Sequence, residues 1–269
     1  MKLSFMTWAC PDWDINQIIT GAIRYGYDGV EPRVEAKQKH GIDLELKKKD
    51  RKEIRQQFED CGLDISCLAT SRTYSSADAS ERAESVELTK KYVDLAADMG
   101  CPTIRVFGGG LPEGVERPDA HKYVAECLRE CGEHAKSRKV FVCLETHDSF
   151  SRAEHCVETV KLADHPNVQI VWDFMHPFRA GNSHAEAFEL VKPYVKHCHV
   201  HDGSLPEGPS GPVSLALMGD GDIPHDEPVK LLASIDFEGH LSGEWISFLP
   251  ADEVLPHDAR MLRMYIEEA

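Results

Sequence analysis

The fold of this chain is indicated most clearly by residues 170–176, which read IVWDFMH. The first three residues are large and apolar, as in a strand that is buried on both faces of a parallel sheet. The run then reaches Asp173, whose carboxylate is costly to bury unless it is paired or bound to a cation. We therefore expect Asp173 to lie at the carboxyl end of a buried strand, where the functional residues of α/β proteins gather.

Similar β-rich runs recur along the chain and alternate with stretches of helical spacing. In the first helical stretch, for example, Ile15, Ile18 and Ala22 fall on one face. The predicted strands cover residues 3–8, 29–34, 64–70, 103–108, 140–147, 168–174, 196–202 and 240–246. Eight alternations in 269 residues predict an α/β protein with the fold of a (β/α)₈ TIM barrel, formed as a single domain by residues 1–269.

A doubly wound open sheet would show the same alternation of strands and helices. That fold normally places a glycine-rich phosphate turn after its first strand, whereas residues 8–12 read WACPD. The glycine run at 108–110 follows the fourth predicted strand and lacks the GxGxxG spacing. The sequence therefore favours the closed barrel.

The net charge of the chain argues against certain classes of binding partner. The chain carries 30 Lys and Arg against 46 Asp and Glu, a net charge of 30 − 46 = −16, which repels nucleic-acid phosphates and anionic membranes. No apolar run approaches the roughly 18 residues of a membrane span. The amino-terminal apolar run is too short for a signal peptide, and the nine cysteines contain no CxxC pair. We therefore expect a cytoplasmic protein with reduced thiols and no nucleic-acid or membrane partner.

Four consecutive predicted strands each deliver a metal-ligand type of residue near the same end. These residues are Glu145, Asp173, Glu244 and the three histidines on one face of the seventh strand, His197, His199 and His201. Three carboxylates in one barrel mouth would repel one another or stay protonated unless a cation lay between them. Two Glu, one Asp and one neutral His form a mostly oxygen ligand set that suits Mn²⁺, Mg²⁺ or Co²⁺, with Zn²⁺ also compatible. The sequence thus predicts one bound divalent metal ion, with Mn²⁺ the first choice; the alternative is that each residue caps a helix or pairs with an Arg.

The same segments resemble a known family, the xylose isomerase-like barrel superfamily of sugar isomerases and epimerases, which also contains dehydratases and abasic-site endonucleases. The resemblance is carried by YDGVE at 27–31, IRV at 104–106, LETH at 144–147, WDFMH at 172–176, HCH at 197–199 and GE at 243–244. It implies that Glu145, Asp173, His199 and Glu244 together bind one divalent metal ion. The family often has Lys two residues after the metal-binding His, whereas this chain has His201, so a fixed cation is replaced by a titratable group.

The resemblance also implies a type of chemistry, in which a proton is moved next to a carbonyl while the metal stabilises the enediolate. In the epimerase branch the two metal-bound glutamates, here Glu145 and Glu244, also carry the proton. A substrate-binding His of that branch corresponds to His176. We therefore expect an isomerase or epimerase that acts on a small sugar or a sugar-derived polyhydroxy carbonyl compound.

A metal-dependent dehydratase of the same superfamily is the main alternative. His147 shares the strand face of Glu145 and would serve as a separate base, as a His at this place does in the 3-dehydroshikimate dehydratase branch. Arg105 would then hold a substrate carboxylate or phosphate, unless it forms a salt bridge with Glu31 or Glu35. Glu31 is a further candidate for substrate contact, and we expect His201 and the loop 203–226 to influence which substrate is used.

Two more distant alternatives are an abasic-site endonuclease and a non-catalytic metal-binding barrel. The endonuclease branch uses additional histidines from strands 2 to 4 and a basic surface. The ends of predicted strands 3 and 4, ATSR at 69–72 and VFG at 106–108, contain no His, and the net charge is −16. The presence of all four predicted ligands argues against a non-catalytic barrel. A homo-oligomer is compatible with the sequence, because barrels of this kind often pair.

Overall fold

Parallel strands form a ring at the centre of the protein, in the computed structural model that describes residues 1–205 and 213–269. The strands are β1 (Lys2–Met6), β2 (Gly29–Glu31), β3 (Asp64–Ile65), β4 (Leu68–Ala69), β5 (Thr103–Val106), β6 (Phe141–Glu145), β7 (Val168–Asp173), β8 (Val195–Val200), β9 (Asp202–Ser204), β10 (Ser214–Ala216) and β11 (His240–Gly243). All of these except β9 and β10 form the ring, in the order β3-β2-β1-β11-β8-β7-β6-β5-β4, and every pairing in it is parallel. The first and last strands of the chain, β1 and β11, are therefore neighbours.

The ring closes at a strand that is broken into two short pieces. β3 pairs with β2, and β4, which begins shortly after β3 ends, pairs with β5 on the other side. A parallel bridge between Arg33 and Ala69 joins the two sides, and the Ala69 amide donates to the Pro32 carbonyl at 3.0 Å. With β3 and β4 counted as one, eight parallel strands surround the axis. The predicted (β/α)₈ barrel is thus confirmed, and the open doubly wound sheet is excluded.

Helices follow the strands and pack around the ring. They are α1 (Ile15–Tyr25), α2 (Lys48–Asp60), α3 (Ala79–Asp98), α4 (Arg117–Arg138), α5 (Ala153–Ala163), α6 (Met175–Arg179), α7 (His184–Val191), α8 (Asp226–Ala233) and α9 (Ala251–Glu267). Asp14 begins α1 with a capping box, in which its side chain accepts from the Gln17 amide. None of the helices in the described part of the chain combines the length and the apolar character that crossing a membrane requires.

Side chains alternate along each strand between an apolar layer under the helices and the interior of the barrel. Leu144 and Trp172 belong to the apolar layer, and the Trp172 ring lies 6.0 Å from that of Phe188 on α7. Glu145 and Asp173, one residue further along the same strands, therefore point to the interior. Polar or charged residues that share this interior position and are buried include Ser4, Arg105, Glu145, Asp173, His197, His199 and Ser242. The barrel interior is thus unusually polar, and this is where the candidate site lies.

Several strands end earlier than predicted, and one predicted loop contains strands. β2 stops at Glu31 rather than at residue 34 because Pro32 has no amide hydrogen to continue the ladder. β11 ends at Gly243, so Glu244 lies just beyond the strand. The predicted loop 203–226 begins with a hairpin in which β9 and β10 pair antiparallel. Residues 206–212 of that loop lie outside the described residues.

Candidate metal centre

Four side chains from neighbouring strands meet at the carboxyl end of the barrel. Glu145 ends β6, Asp173 ends β7, His199 lies near the end of β8, and Glu244 follows β11. Each offers one potential ligand atom, and these atoms all lie within 4.8 Å of one another. Glu145, Asp173 and His199 are fully buried, and Glu244 is 8% exposed. The parallel register, which sets Asp173 opposite His199, explains why residues far apart in sequence meet here.

His199 lies at the centre of the cluster. Its Nδ1 is 3.2 Å from Glu145 Oε1 and also 3.2 Å from Glu244 Oε2. Its Nε2 is 3.0 Å from Glu31 Oε1. A neutral imidazole carries only one proton, so if Nε2 donates to Glu31, the Nδ1 lone pair faces two carboxylates. A cation among these three groups turns that repulsion into attraction.

Glu31 lies beneath His199, fully buried, with both of its oxygens occupied. Oε1 is near His199 Nε2, and Oε2 lies 2.7 Å from Nε2 of His197. Each Glu31 oxygen thus already faces an imidazole nitrogen, and the substrate contact expected from the sequence stays a prediction. A carboxylate that faces one nitrogen of a metal-binding imidazole fixes its tautomer and orientation.

Two buried oxygens of the cluster have no hydrogen-bond partner, namely Glu145 Oε2 and Asp173 Oδ2. Arg105 Nε approaches the first to 3.2 Å and His201 Nε2 approaches the second to 2.9 Å, without hydrogen-bond geometry. Asp173 Oδ1, by contrast, accepts from two backbone amides at the start of α6, which fixes the carboxylate. Buried unpartnered oxygens beside an imidazole nitrogen are a donor set that fits a divalent metal ion.

The electrostatics of the cluster favour positive charge at its centre. Burial lowers the pKa of His199, but the carboxylates of Glu31, Glu145 and Glu244 outweigh it and raise this pKa well above its usual value. Burial likewise raises the pKa of Glu244, yet His199 and Arg105 more than offset it and lower this pKa to about 2. The pKa of Glu145 also falls below its usual value, because His199 and Arg105 again outweigh burial. Glu145 and Glu244 are thus held as carboxylates.

Three further histidines line one side of this cluster. The ring centroids of His147 and His176 are 4.3 Å apart, and those of His176 and His201 are 5.5 Å apart. His201 pairs with Asp173, with 2.9 Å between Nε2 and Oδ2. His147 lies 2.9 Å from Asp148, which, against the lowering effect of burial, raises the pKa of His147 to about 9 together with Glu145. The role of Asp148 was missed in the sequence, where its only indication is that it follows His147.

Arg105 connects this group of histidines to the cluster. It is 1% exposed, pairs with Glu145, and lies 4.0 Å from the centre of the Phe107 ring. The alternative salt bridges to Glu31 and Glu35 are not formed, since Glu35 pairs with Arg72 at 2.5 Å. Arg105 therefore helps to hold Glu145 in its charged form.

Asp202 anchors the segment that follows β8, and it was also missed in the sequence. Its buried carboxylate accepts from four backbone amides at 2.8–3.2 Å, those of Gly203, Gly219, Gly221 and Ile223. A Cβ at position 221 would lie 2.1 Å from Asp202 Oδ1, so only glycine fits there. The only sequence indication is the GDGD run at 219–222. Asp202 fixes the return of this loop immediately after His201.

Comparison with characterised proteins gives both sequence and structural matches. A 3-dehydroshikimate dehydratase of Bacillus anthracis is 26% identical over 120 residues, which cover 43% of this chain and 42% of that protein. The probable 3-DHS dehydratase AsbF of Bacillus anthracis, involved in petrobactin synthesis, superposes with a TM-score of 0.80 at 20% identity, over 98% of this chain and 99% of that one.

Two other solved structures show the same fold at lower identity. An IolI protein with a bound zinc atom superposes with a TM-score of 0.86 at 16% identity, over 100% of this chain and 99% of that one. An L-ribulose 3-epimerase superposes with a TM-score of 0.81 at 15% identity, over 99% and 95% of the two chains. At this level of identity the structural likeness establishes the fold alone.

A family model also matches most of the chain. The model of the xylose isomerase-like TIM barrel family matches residues 20–265, from α1 to α9. This range includes every strand of the ring except β1 and all four residues of the central cluster. The chain therefore belongs to the xylose isomerase-like TIM barrel family.

Proposed function

We propose that this protein is a divalent-metal-dependent enzyme that isomerises or epimerises a small sugar or a sugar-derived polyhydroxy carbonyl compound. The observation that carries the proposal is that the carboxylates of Glu145 and Glu244 both approach Nδ1 of His199 to 3.2 Å. Two carboxylates at one metal position allow one to take a proton from carbon and the other to return it. The family contains enzymes, and an L-ribulose 3-epimerase shares the fold.

Glu145, Asp173, His199 and Glu244 would hold the metal ion. A bound divalent cation would supply Lewis acidity to neighbouring carbonyl and hydroxyl oxygens of the substrate. Three carboxylates and one imidazole are a mostly oxygen donor set, which favours Mn²⁺, and Mg²⁺, Co²⁺ and Zn²⁺ are also compatible. A zinc atom is bound in the related IolI structure.

The residues of the cluster and around it would have different roles in the reaction. Arg105 keeps Glu145 ionised, so that this carboxylate is ready to accept a proton. Glu244 is the only one of the four cluster residues in the described chain with measurable exposure, 8%, and is therefore the one most open to substrate. His176 and His201 offer ring nitrogens for substrate hydroxyl groups.

A dehydratase of the same family is a second candidate, supported by a specific pair of residues. His147 and Asp148 lie 2.9 Å apart, and such a pair can donate or accept a proton, as elimination of water requires. The partial match to a 3-dehydroshikimate dehydratase points the same way, although it spans less than half of either protein.

One experiment separates the two candidates. The Mn²⁺-loaded protein is incubated in D₂O with a panel of ketoses and with 3-dehydroshikimate. Deuterium at the carbon next to the carbonyl, without loss of water, supports the isomerase or epimerase. Loss of water to give a conjugated, UV-absorbing product supports the dehydratase. If neither occurs with any member of the panel, both proposals fail for these substrate classes.

Matched variants assign the reaction to residues. For an epimerase, Glu244→Gln should abolish deuterium incorporation while His147→Gln largely retains it. For a dehydratase, His147→Gln should abolish water loss. The single-domain organisation, the cytoplasmic location, a homo-oligomer and the absence of a nucleic-acid partner stay predictions.

A further inference from the structure

A second cluster of metal-ligand residues lies outside the barrel, between α4 and α5. His121 belongs to α4, and His155 and Glu158 belong to α5. Each residue offers one potential ligand atom, and the three atoms lie within 4.8 Å of one another. His155 and Glu158 are three residues apart on one helix, a spacing that places both side chains on the same face. None of the three takes part in the proposed reaction.

His121 is the residue that most needs an explanation. It is 2% exposed, and neither of its ring nitrogens makes a hydrogen bond. Buried polar side chains in folded proteins nearly always have a partner, so a buried imidazole with two unsatisfied nitrogens is exceptional. Its Nδ1 faces Glu158 Oε2 at 3.2 Å without hydrogen-bond geometry, and its ring centroid lies 5.4 Å from that of His155.

The distances and the residue types agree with a zinc site. Neighbouring nitrogen and oxygen ligands around tetrahedral Zn²⁺ lie about 3.3 Å apart, given bonds of about 2.0–2.1 Å. The 3.2 Å between His121 Nδ1 and Glu158 Oε2 matches this edge. His155 is half-buried and the Glu158 side chain is 60% exposed, so both can rotate to close the remaining separations.

The surroundings keep the two imidazoles in the form that binds metal. Burial lowers the pKa of His155, and the nearby Arg117 lowers it further. Burial also lowers the pKa of His121, with Arg117 acting in the same direction and Glu158 opposing it. Both rings are therefore neutral near pH 7, and only the neutral ring can donate a lone pair to a metal.

We propose that His121, His155 and Glu158 form a second zinc site, which joins α4 to α5 and leaves a fourth position for water. Two imidazoles and one carboxylate are a common protein ligand set for Zn²⁺ with an open position. The site is separate from the barrel mouth, because its three residues lie on the outer helices. It does not depend on the proposed reaction.

The test counts zinc ions per chain. The metal-stripped full-length protein is equilibrated with Zn²⁺ by dialysis, and bound zinc is measured by elemental analysis. We expect two ions in the unmodified protein and one in a Glu145→Gln/Glu244→Gln variant, in which only the outer site remains. In that background, His155→Ala and Glu158→Gln should each weaken zinc binding by on the order of 100-fold or more, since even residues behind the ligands contribute 10–100-fold.

His134→Ala in the same background is the matched control. His134 also lies on α4, but it pairs with Asp94, so its loss should leave zinc binding unchanged. Circular dichroism verifies that each variant is folded, and His121 is left intact because it is buried. The proposal is overturned if the Glu145→Gln/Glu244→Gln variant binds no zinc, or if His155→Ala and Glu158→Gln bind zinc as the control does. Absence of both activities in the unmodified protein, with the outer zinc still bound, would instead count against the proposed reaction alone.

Discussion

The two ends of the barrel contain the same types of residue but arrange them differently. At the amino end, one carboxylate, Asp64, is shared between Lys2 at 2.6 Å and His240 at 3.2 Å. Lys2 and Asp64 are about half exposed, with side chains 52% and 43% accessible. At the carboxyl end, three carboxylates converge with the imidazole of His199, so that four potential ligand atoms lie within 4.8 Å of one another, and all four residues are buried. Burial and convergence on one point, rather than residue type, distinguish this end from the amino end.

The position of a large cavity does not match the position of the buried carboxylates: it lies at the amino end. This cavity of about 400 Å³ is lined by Lys2, Lys196, His197 and His240, among others. His197 there shares Glu31 with His199 of the metal centre, so one buried carboxylate connects the two ends. The presence of this cavity would have pointed to the amino end, whereas the convergence of buried ligand atoms identifies the carboxyl end.

Removing one carboxylate from the carboxyl end of the barrel should have the largest effect, on both turnover and metal affinity. For Glu145→Gln or Glu244→Gln we expect turnover to fall by roughly 10³-fold, within the 10²–10⁴ that acid–base groups contribute, and metal affinity to fall with it. Initial rates and metal content measure the two effects. Asp64→Asn makes the same change of charge at the amino end and should alter neither. The comparison fails if the double variant keeps its metal and its rate.

Adding a metal ion should stabilise the carboxyl end by a smaller amount. At a free Mn²⁺ concentration 100 times the dissociation constant, the free energy of unfolding should rise by about 2.7 kcal/mol, because the ion binds only the folded chain. Urea unfolding with Mn²⁺ or with a chelator measures this difference. Asp173→Asn should lose most of the increment and Asp64→Asn should keep it. An increment of equal size in both variants would place the binding elsewhere.

Glu31→Gln tests the residue whose carboxylate contacts both His197 and His199 and so connects the two ends of the barrel. An amide offers one acceptor and one donor, so it cannot accept from His197 and His199 together. We expect metal affinity to fall by about 10–100-fold, as for other groups that orient a metal-binding His. Titration calorimetry with Mn²⁺ measures the affinity. Ser4→Ala, another buried substitution in the barrel interior, is the control, and equal affinities for the two variants would contradict the orienting role.

The smallest expected effect is the contribution of the ion pair at the amino end to the free energy of unfolding. The nearby imidazole of His240, with the help of Lys2 and against burial, lowers the pKa of Asp64 to about 2. Because the unfolded chain then binds more protons, this ion pair stabilises the fold above about pH 4, and its contribution is lost as the pH falls towards about 2. The groups are half exposed, so we expect no more than about 1 kcal/mol. The difference in unfolding free energy between the unmodified protein and Asp64→Asn should shrink over that interval; a constant difference would rule out this ion pair as its source.

Much of the candidate site could be predicted because the local sequence around its residues indicates that they lie at strand ends. Glu145 and Asp173 each end an apolar run, and an apolar run that stops at an acid marks the end of a buried strand. Parallel strands of a barrel bring such ends to one face, so the four residues of the central cluster could be grouped from the sequence alone.

The remaining parts depend on contacts between distant segments. Glu31 lies 166 residues before His197 and 168 before His199, and only the register of the closed ring brings them together. The break between β3 and β4 and the hairpin of β9 and β10 likewise depend on neighbouring strands and on a buried carboxylate rather than on periodicity. Local patterns therefore predict where strands end, and tertiary hydrogen bonds decide what each polar residue does there.

The anchoring of the loop by Asp202 has a consequence for how proteins of this architecture can diverge. The Asp202 carboxylate accepts from the backbone amides of Gly203 and Ile223, one at each end of the loop. The two ends of the loop are therefore held together by one side chain. Insertions, deletions and substitutions between these anchors need not move His199, which lies on the strand before them. New specificities can therefore evolve, or be engineered by grafting loops, as long as Asp202, Gly219 and Gly221 are kept.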